Sequence, residues 1–211
     1  MLAEKVFNCV RTGQDNTATI AVCRCRSCRL PLTCGKVFDV MLSRPDSTEY
    51  AEFYTNYIAR VPDGNVLDFL TKQPGAYRQL LAGIPDAAAE AEPAPGKWSI
   101  KQVLGHICDA ERVMTYRALR FARGDEQELR GFEQDDYVRE ANSNSRSLEE
   151  LLAEFESVRK ATIALFGSLP AGTETRRGIA NGNPVSVRAL AYIAAGHAQH
   201  HYEGLKATAK E

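Results

Sequence analysis

The sequence lacks the long apolar run that a membrane-spanning helix requires. No stretch approaches the roughly 20 consecutive apolar residues needed to cross a bilayer, and polar residues repeatedly interrupt the start of the chain from Met1 to Val22, where a secretion signal would lie. An excess of one charge is also missing, because the formal net charge is −1. These absences predict a cytoplasmic protein whose partners include neither a membrane nor nucleic acid.

Cysteine is almost absent beyond the first 40 residues. Only Cys108 lies after that point, whereas the other five cysteines are Cys9, Cys23, Cys25, Cys28 and Cys34. Without a secretion signal, we do not expect a disulfide framework. Residues 1–40 are also locally basic and lack a sustained period of two or 3.6 residues. We therefore predict a poorly ordered N-terminal extension over residues 1–40 and a folded domain over residues 41–211.

Two alternatives remain open for this extension. Cys25 and Cys28 form a Cys-x-x-Cys pair, which Cys23 and Cys34 could complete to a four-thiolate zinc site, although a second such pair is missing. The extension could also be an artefact upstream of a natural start at Met41. A DNA-binding role for the basic cysteine cluster is the least favoured interpretation, because the rest of the chain is nearly neutral.

Helical periodicity dominates the folded domain, and no strand-like run competes with it. Ser99 with Gln102, and Ser147 with Glu150, form capping-box patterns that open two long helices. The predicted helices cover residues 48–58, 66–84 with a kink or break at Pro74, 99–123, 147–169 and 186–208, and residues 170–184 are predicted to be a loop. Four long helices with long middle connections predict an all-α fold, a four-helix bundle with crossover connections.

All four histidines fall on two of these helices. His197 and His201 lie one turn apart on the stripe of the last helix that should face the core, while His200 lies on its flank. His106 shares a core-facing line of the earlier helix. Three imidazoles from two helices could hold one metal ion and leave coordination positions open, as catalytic sites do. Spacing alone leaves open that these are ordinary core histidines.

Two carboxylates lie close to these histidines in the sequence. Asp109 follows His106 by three residues, and Glu203 follows His201 by two. Either could orient a ligand or transfer a proton, so both are the candidate catalytic residues. Weaker candidates have plainer interpretations as core or surface residues, and they are Trp98, Cys108, Asp135, Asp136, Tyr137, Arg176 and Arg177.

Three segments resemble the signatures of the DinB-like family. Lys97 to Arg112, with Trp98-Ser99 and His106, is similar to the first signature, and Asn183 to His201 is similar to the closing His-x-x-x-His helix. Gly131 to Tyr137 is similar to an intervening loop of one branch. The resemblance implies a four-helix bundle that holds a divalent metal, often zinc or nickel, through three histidines. These correspond to His106, His197 and His201.

The resemblance also implies kinship with transferases and isomerases that use low-molecular-weight thiols, and many members form dimers. We therefore expect a divalent-metal-binding protein that acts on a small-molecule substrate as a thiol transferase or hydrolase. A low-molecular-weight thiol would be the co-substrate, and a homodimer the expected assembly. The alternative is a non-catalytic metal-binding or stress-related bundle of the same fold.

Overall fold

The structure is a computed structural model that describes residues 22–23, 32–33 and 42–208. The chain divides into two compact units, Met1–Asp39 and Val40–Glu211. In the first unit, β1 (Val22–Cys23) pairs antiparallel with β2 (Leu32–Thr33). The zinc site that remained open for the cysteines of this unit, and the predicted poor order of residues 1–40, both concern residues that lie largely outside the described ones. No described helix is long and apolar enough to cross a membrane.

The described part of the second unit is helical, with one β-hairpin near its C-terminal end. Its helices are α1 (Thr55–Ile58), α2 (Val66–Leu80), α3 (Asp86–Ala89), α4 (Ile100–Ala122), α5 (Gln134–Ala141), α6 (Leu148–Gly167) and α7 (Val187–Thr208). The hairpin consists of β3 (Arg177–Ala180) and β4 (Asn183–Ser186), which lie between α6 and α7.

The four long helices α2, α4, α6 and α7 form the bundle. Helix α4 packs along α6 and α7, and α2 packs along the same two helices. Helix α4 therefore lies diagonally across the bundle from α2, and α7 lies diagonally across from α6. The connections between α2 and α4 and between α6 and α7 cross the bundle. The predicted four-helix bundle with crossover connections is confirmed.

Side-chain caps begin the two helices that carry the histidines. The Ser99 hydroxyl accepts a hydrogen bond from the Gln102 amide at 3.1 Å, and the Gln102 side chain accepts one from the Ser99 amide at 2.9 Å. The Ser186 hydroxyl accepts from the Ala189 amide at 3.0 Å. A fixed first turn sets the rotation of every later residue about the helix axis. The predicted starts of α4 and α7 are thus borne out.

The helix predicted over residues 48–58 is wrong except at its end. Two 3₁₀ turns, Ser47–Glu49 and Glu52–Tyr54, precede the short helix α1, and Tyr50 between the turns is extended. The Glu49 side chain points inward and pairs with Arg188 of α7. A continuous helix on the surface would not have to place this side chain in the interior. Of the kink or break predicted at Pro74, the break is absent, because α2 continues through that residue.

The prediction of a loop over residues 170–184 missed the β-hairpin. Asn181 and Gly182 connect its strands with positive φ angles of 52° and 71°. Asn-Gly is the sequence best suited to this two-residue connection, because both central residues must adopt left-handed conformations. The signal was present in the sequence but lay within a segment rich in loop-forming residues.

A buried polar network connects all four long helices. The guanidinium of Arg159 on α6 lies 2.9 Å from the Glu111 carboxylate on α4 and donates to Gln73 on α2 at 2.8 Å. Gln73 in turn donates to the carbonyl oxygen of Ala195 on α7 at 2.8 Å. The Glu111 carboxylate also accepts from Thr162 at 2.6 Å. Each helix therefore has a polar contact that fixes its position in the core.

The Glu49–Arg188 pair joins the start of the second unit to α7. Arg188 Nε donates to Glu49 Oε2 at 2.8 Å, and only 4% of the Glu49 side chain is exposed. Hydrogen bonding from Arg188 lowers the pKa of Glu49 from 4.5 to about 2. The folded state therefore favours the carboxylate. This contribution to stability is complete above the unfolded pKa and is lost as the pH falls through the folded pKa.

We predict that Glu49→Gln lowers the free energy of unfolding by about 2 kcal/mol at neutral pH, because Arg188 loses a buried carboxylate. Between pH 5 and 2, stability should fall less steeply in the variant than in the wild type, since the variant lacks this titrating group. Denaturant unfolding at several pH values measures both effects, with the exposed Glu52→Gln as a control. Parallel wild-type and Glu49→Gln profiles would contradict this prediction.

Candidate metal centre

Three histidines from two helices meet in the bundle. His106 projects from α4, and His197 and His201 project from α7. The Nε2 atom of His197 lies 2.9 Å from Nε2 of His106 and 3.1 Å from Nε2 of His201. Their ligand atoms all lie within 4.8 Å of one another. The structure thus brings together the three residues that the sequence selected as metal ligands, whereas His200 lies outside the group.

Burial keeps these imidazoles in the neutral form that binds metals. It lowers the pKa of His106 to about 4, although the charge of Asp135 acts in the opposite direction, and it lowers the pKa of His201 to about 3. Burial and the other histidines also hold the pKa of His197 well below its usual value. Neutral imidazole is the ligand form that a transition metal requires.

The arrangement of the nitrogen atoms fits a metal better than it fits hydrogen bonding alone. A neutral imidazole Nε2 carries either one proton or one lone pair, yet His197 Nε2 faces two other Nε2 atoms. A single proton cannot satisfy both contacts. Ligand nitrogens about 2.0–2.1 Å from a tetrahedral zinc lie roughly 3.3 Å apart, close to the two separations that involve His197. One divalent ion could therefore be held by all three residues.

Gly196 makes room for this cluster. A Cβ atom on Gly196 would lie 1.9 Å from the carbonyl oxygen of Tyr57, so only glycine lets α1 pack directly against α7. The Tyr57 ring consequently meets the His197 ring edge-on at 5.5 Å. On the other side, the Trp98 ring lies 4.7 Å from that of His106. Trp98 is thus both a packing residue and part of the wall around the site.

A cavity of about 320 Å³ opens beside the cluster. One face of α4 forms its floor, from His106 through Ala110 and Met114 to Arg117. The remaining lining residues are Phe53, Tyr54, Tyr57, Gly131, Phe132, Glu133, Gln134, Asn181 and His197. Because two of the three histidines line this cavity, a small molecule within it could approach an ion that they hold.

A second cavity, of about 360 Å³, reaches the cluster from another side. Trp98, Val103, Leu205 and His201 are among its lining residues. Its lining is more apolar, whereas the cavity on the α4 floor carries tyrosine, arginine, glutamate and amide groups. The histidine cluster therefore has a polar approach and an apolar approach.

The two predicted catalytic carboxylates contact arginines or amides instead of the histidines. Asp109 is half-buried and accepts from Arg112 at 3.3 Å, and burial raises its pKa. Glu203 accepts from Arg60 at 3.1 Å and from Gln199 at 3.0 Å on the exposed side of α7. Neither belongs to the group of ligand atoms formed by the histidines. Their catalytic role stays a prediction.

Most of the weaker candidates also have structural surroundings, and one of them acts on the site. Cys108 is buried in the core, and burial raises the pKa of its thiol to about 12, so it is a poor nucleophile. Arg176 and Arg177 donate to the carbonyl oxygens of Ala122 and Thr48, so both have structural partners. Asp135, in the first turn of α5, acts on the pKa of His106 and is thus electrostatically coupled to the site.

Sequence reasoning missed Arg117, Tyr54 and Asn181 as residues of the cavity. Arg117 could have been found, because it continues the line of His106, Ala110 and Met114 along α4 at helical spacing. Tyr54 lies in a 3₁₀ turn and Asn181 in a hairpin connection. In such segments helical periodicity does not predict the direction of a side chain. The cavity therefore became visible only when the turn, the hairpin and α4 were placed together.

Comparison with known proteins identifies the family. The family model described as the DinB superfamily matches residues 70–205, more than half of the chain. The chain belongs to the DinB superfamily. The matched region contains His106, His197 and His201 as well as the whole floor of the cavity. A search of curated proteins finds no match.

Two solved structures share the fold of this DinB superfamily member. YfiT from Bacillus subtilis, described as "a probable metal-dependent hydrolase with an unusual four-helix bundle topology", is 15% identical with a TM-score of 0.63, and the alignment covers 80% of this chain and 92% of YfiT. A mycothiol-dependent maleylpyruvate isomerase is 12% identical with a TM-score of 0.57. That alignment covers 70% of this chain and 62% of the isomerase.

We predict that Gly196→Ala destabilises the protein by about 1–3 kcal/mol, because its Cβ would collide with the backbone of Tyr57. The displacement of α1 should also loosen the packing of Tyr57 on His197. Gly75→Ala is the control, since a Cβ there meets nothing within 4 Å and helix propensity should favour alanine by up to ~1 kcal/mol. Thermal unfolding measures both variants, and equal melting temperatures for Gly196→Ala and the wild type would refute the close approach.

Proposed function

We propose that this protein is a metal-dependent enzyme that acts on a small molecule as a hydrolase or a thiol transferase. His106, His197 and His201 hold one divalent ion, with zinc or nickel as the favoured metals. The convergence of three neutral imidazoles, two buried and one half-buried, on one point beside an open cavity carries the proposal. When bound, such an ion lowers the pKa of a water or thiol and polarises a substrate oxygen.

The residues around the cluster have separable tasks in this proposal. Tyr57 and Trp98 fix the ring planes of His197 and His106 and restrict the access of water. Asp135 places negative charge near His106, which favours a cation at the site. Asp109 and Glu203 remain candidates for proton transfer, and each would first have to leave its arginine partner.

The two solved structures support the two reaction classes. YfiT is described as "a probable metal-dependent hydrolase", and the isomerase is described as mycothiol-dependent. At 15% and 12% identity they share the fold with this chain, and the choice between hydrolysis and thiol transfer stays part of the proposal. A low-molecular-weight thiol co-substrate, a homodimer and a cytoplasmic location likewise stay predictions.

The decisive measurement is the metal content of gently purified protein by elemental mass spectrometry. We expect close to one zinc or nickel ion per chain in the wild type. The content should fall about tenfold or more in His197→Ala, because the central ligand is lost. His200→Ala is the matched control, since it removes a histidine of the same helix that lies outside the cluster, and it should keep its metal.

Other outcomes would redirect the proposal. Metal retained in His197→Ala but lost when residues 1–40 are deleted would place the ion at the N-terminal cysteines. Metal that raises the melting temperature while neither thiols nor hydrolysable substrates react would favour the non-catalytic alternative. A wild-type protein that takes up no metal even after reloading would refute the proposed site.

A further inference from the structure

Arg117 is a buried cation that lines the cavity without an acidic partner. Only 4% of its surface is exposed, and its Nη2 donates to the carbonyl oxygen of Arg130 at 3.0 Å. Its other recorded partner is the hydroxyl of Tyr54, which also lines the cavity. Within residues 42–207 no carboxylate forms an ion pair with it. By contrast, Arg112 and Arg120 of the same helix are paired with Glu154 and Asp125.

A buried guanidinium of this kind is costly unless an anion approaches it. Removing a charge from water costs several kcal/mol, and neutral hydrogen-bond partners offset only part of that cost. A guanidinium also carries five N–H donors in a planar fork that matches a carboxylate or phosphate. The partners recorded for Arg117 are one carbonyl and one hydroxyl. Donors therefore remain for a bound anion in the cavity.

The distance between Arg117 and the histidines sets the length of a ligand that could contact both. His106, Ala110, Met114 and Arg117 follow one another on the cavity floor, and about three helical turns separate the first from the last, or roughly 16 Å along the axis. Long side chains on a helix generally lean back toward its N-terminus, so we expect the gap between the Arg117 guanidinium and the histidines to be shorter than this axial distance. The cavity thus has a metal-binding end and a cationic end.

We propose that Arg117 binds an anionic group of the ligand, and that this ligand is an elongated molecule with a carboxylate or phosphate at one end and its reacting atom at the other. The inference rests on the proposed function, because the histidines provide the reacting end. Glu133 also lines the cavity but is exposed to solvent. Water therefore screens its repulsion of an anion, whereas the charge of Arg117 is screened much less.

A purely structural role for Arg117 makes a different prediction. In that case the residue only fastens Arg130 and Tyr54 to α4, and the charge of a ligand would not matter. Calorimetric titration of the zinc-loaded full-length protein separates the two roles. The probes are mercaptoacetate, mercaptohexanoate and mercaptoundecanoate, in which the thiol can reach the metal end and the carboxylate lies at increasing distance. Each acid is compared with its neutral primary amide.

We expect the longer acids to bind about 10- to 100-fold more tightly than their amides, as a charge-assisted hydrogen bond allows. Mercaptoacetate cannot span the distance to Arg117, so any preference for this acid over its amide comes from its carboxylate binding the zinc ion and should be unchanged in Arg117→Gln. The preference of the longer acids should be lost in Arg117→Gln and persist in part in Arg117→Lys. Arg120→Gln is the matched control, because it removes a paired arginine from the same helix, and it should keep the full preference.

Three results would overturn the assignment of Arg117. These are equal binding of the long acids and amides by the wild type, a long-acid preference that survives in Arg117→Gln, or a loss of preference in Arg117→Gln that is as large for mercaptoacetate as for the long acids. If Arg117→Gln fails to fold, the wild-type ratios and Arg117→Lys decide the question. Binding of the amides without a carboxylate preference refutes only the role of Arg117. Failure of the zinc-loaded protein to bind any probe refutes the proposed function as well.

Discussion

The contact between Glu111 and Arg159 is the constraint on which the bundle depends most. Both side chains are almost completely buried, and through Gln73 the network reaches the backbone of Ala195. Removing one partner would leave a buried charge uncompensated, a far larger loss than that of a surface ion pair. Hydrogen bonds depend on direction, so this network restricts the rotation of the helices more than apolar contacts alone would. Because Ala195 lies two residues before His197, the same contact that orders the core also positions the site.

The histidine cluster depends on a local compromise in packing. Tyr57 can approach α7 only because Gly196 has no side chain, and that approach buries His197 almost completely. Burial keeps the imidazoles neutral and excludes water, but it would also leave their nitrogen atoms poorly satisfied. Under the proposed function a divalent ion would resolve this conflict, so the proposal treats the cluster as a binding site and not as ordinary core packing.

Helix-forming segments were predictable where local chemistry repeats along the chain. Ser99, Ser147 and Ser186 mark the starts of long helices, and a fixed start lets spacing place His106, His197 and His201 on core-facing stripes. Segments without periodicity were not predictable in this way. The turns before α1 are shaped by the distant Arg188, which contacts Glu49 across 139 positions of sequence. The Asn181-Gly182 connection carried a readable hairpin signal that the surrounding loop-forming residues obscured.

The sequence by itself determined the helical bundle and the three histidines, because helix caps and helical spacing are local properties that need no knowledge of neighbours. Only the tertiary structure decided what surrounds those histidines. It paired Asp109 and Glu203 with arginines, assembled the cavity from α4, a 3₁₀ turn and a hairpin, and left Arg117 without an acidic partner among the described residues. The physical reason is that burial and electrostatic pairing depend on which surfaces meet in space, and spacing along one helix records only which face a residue lies on.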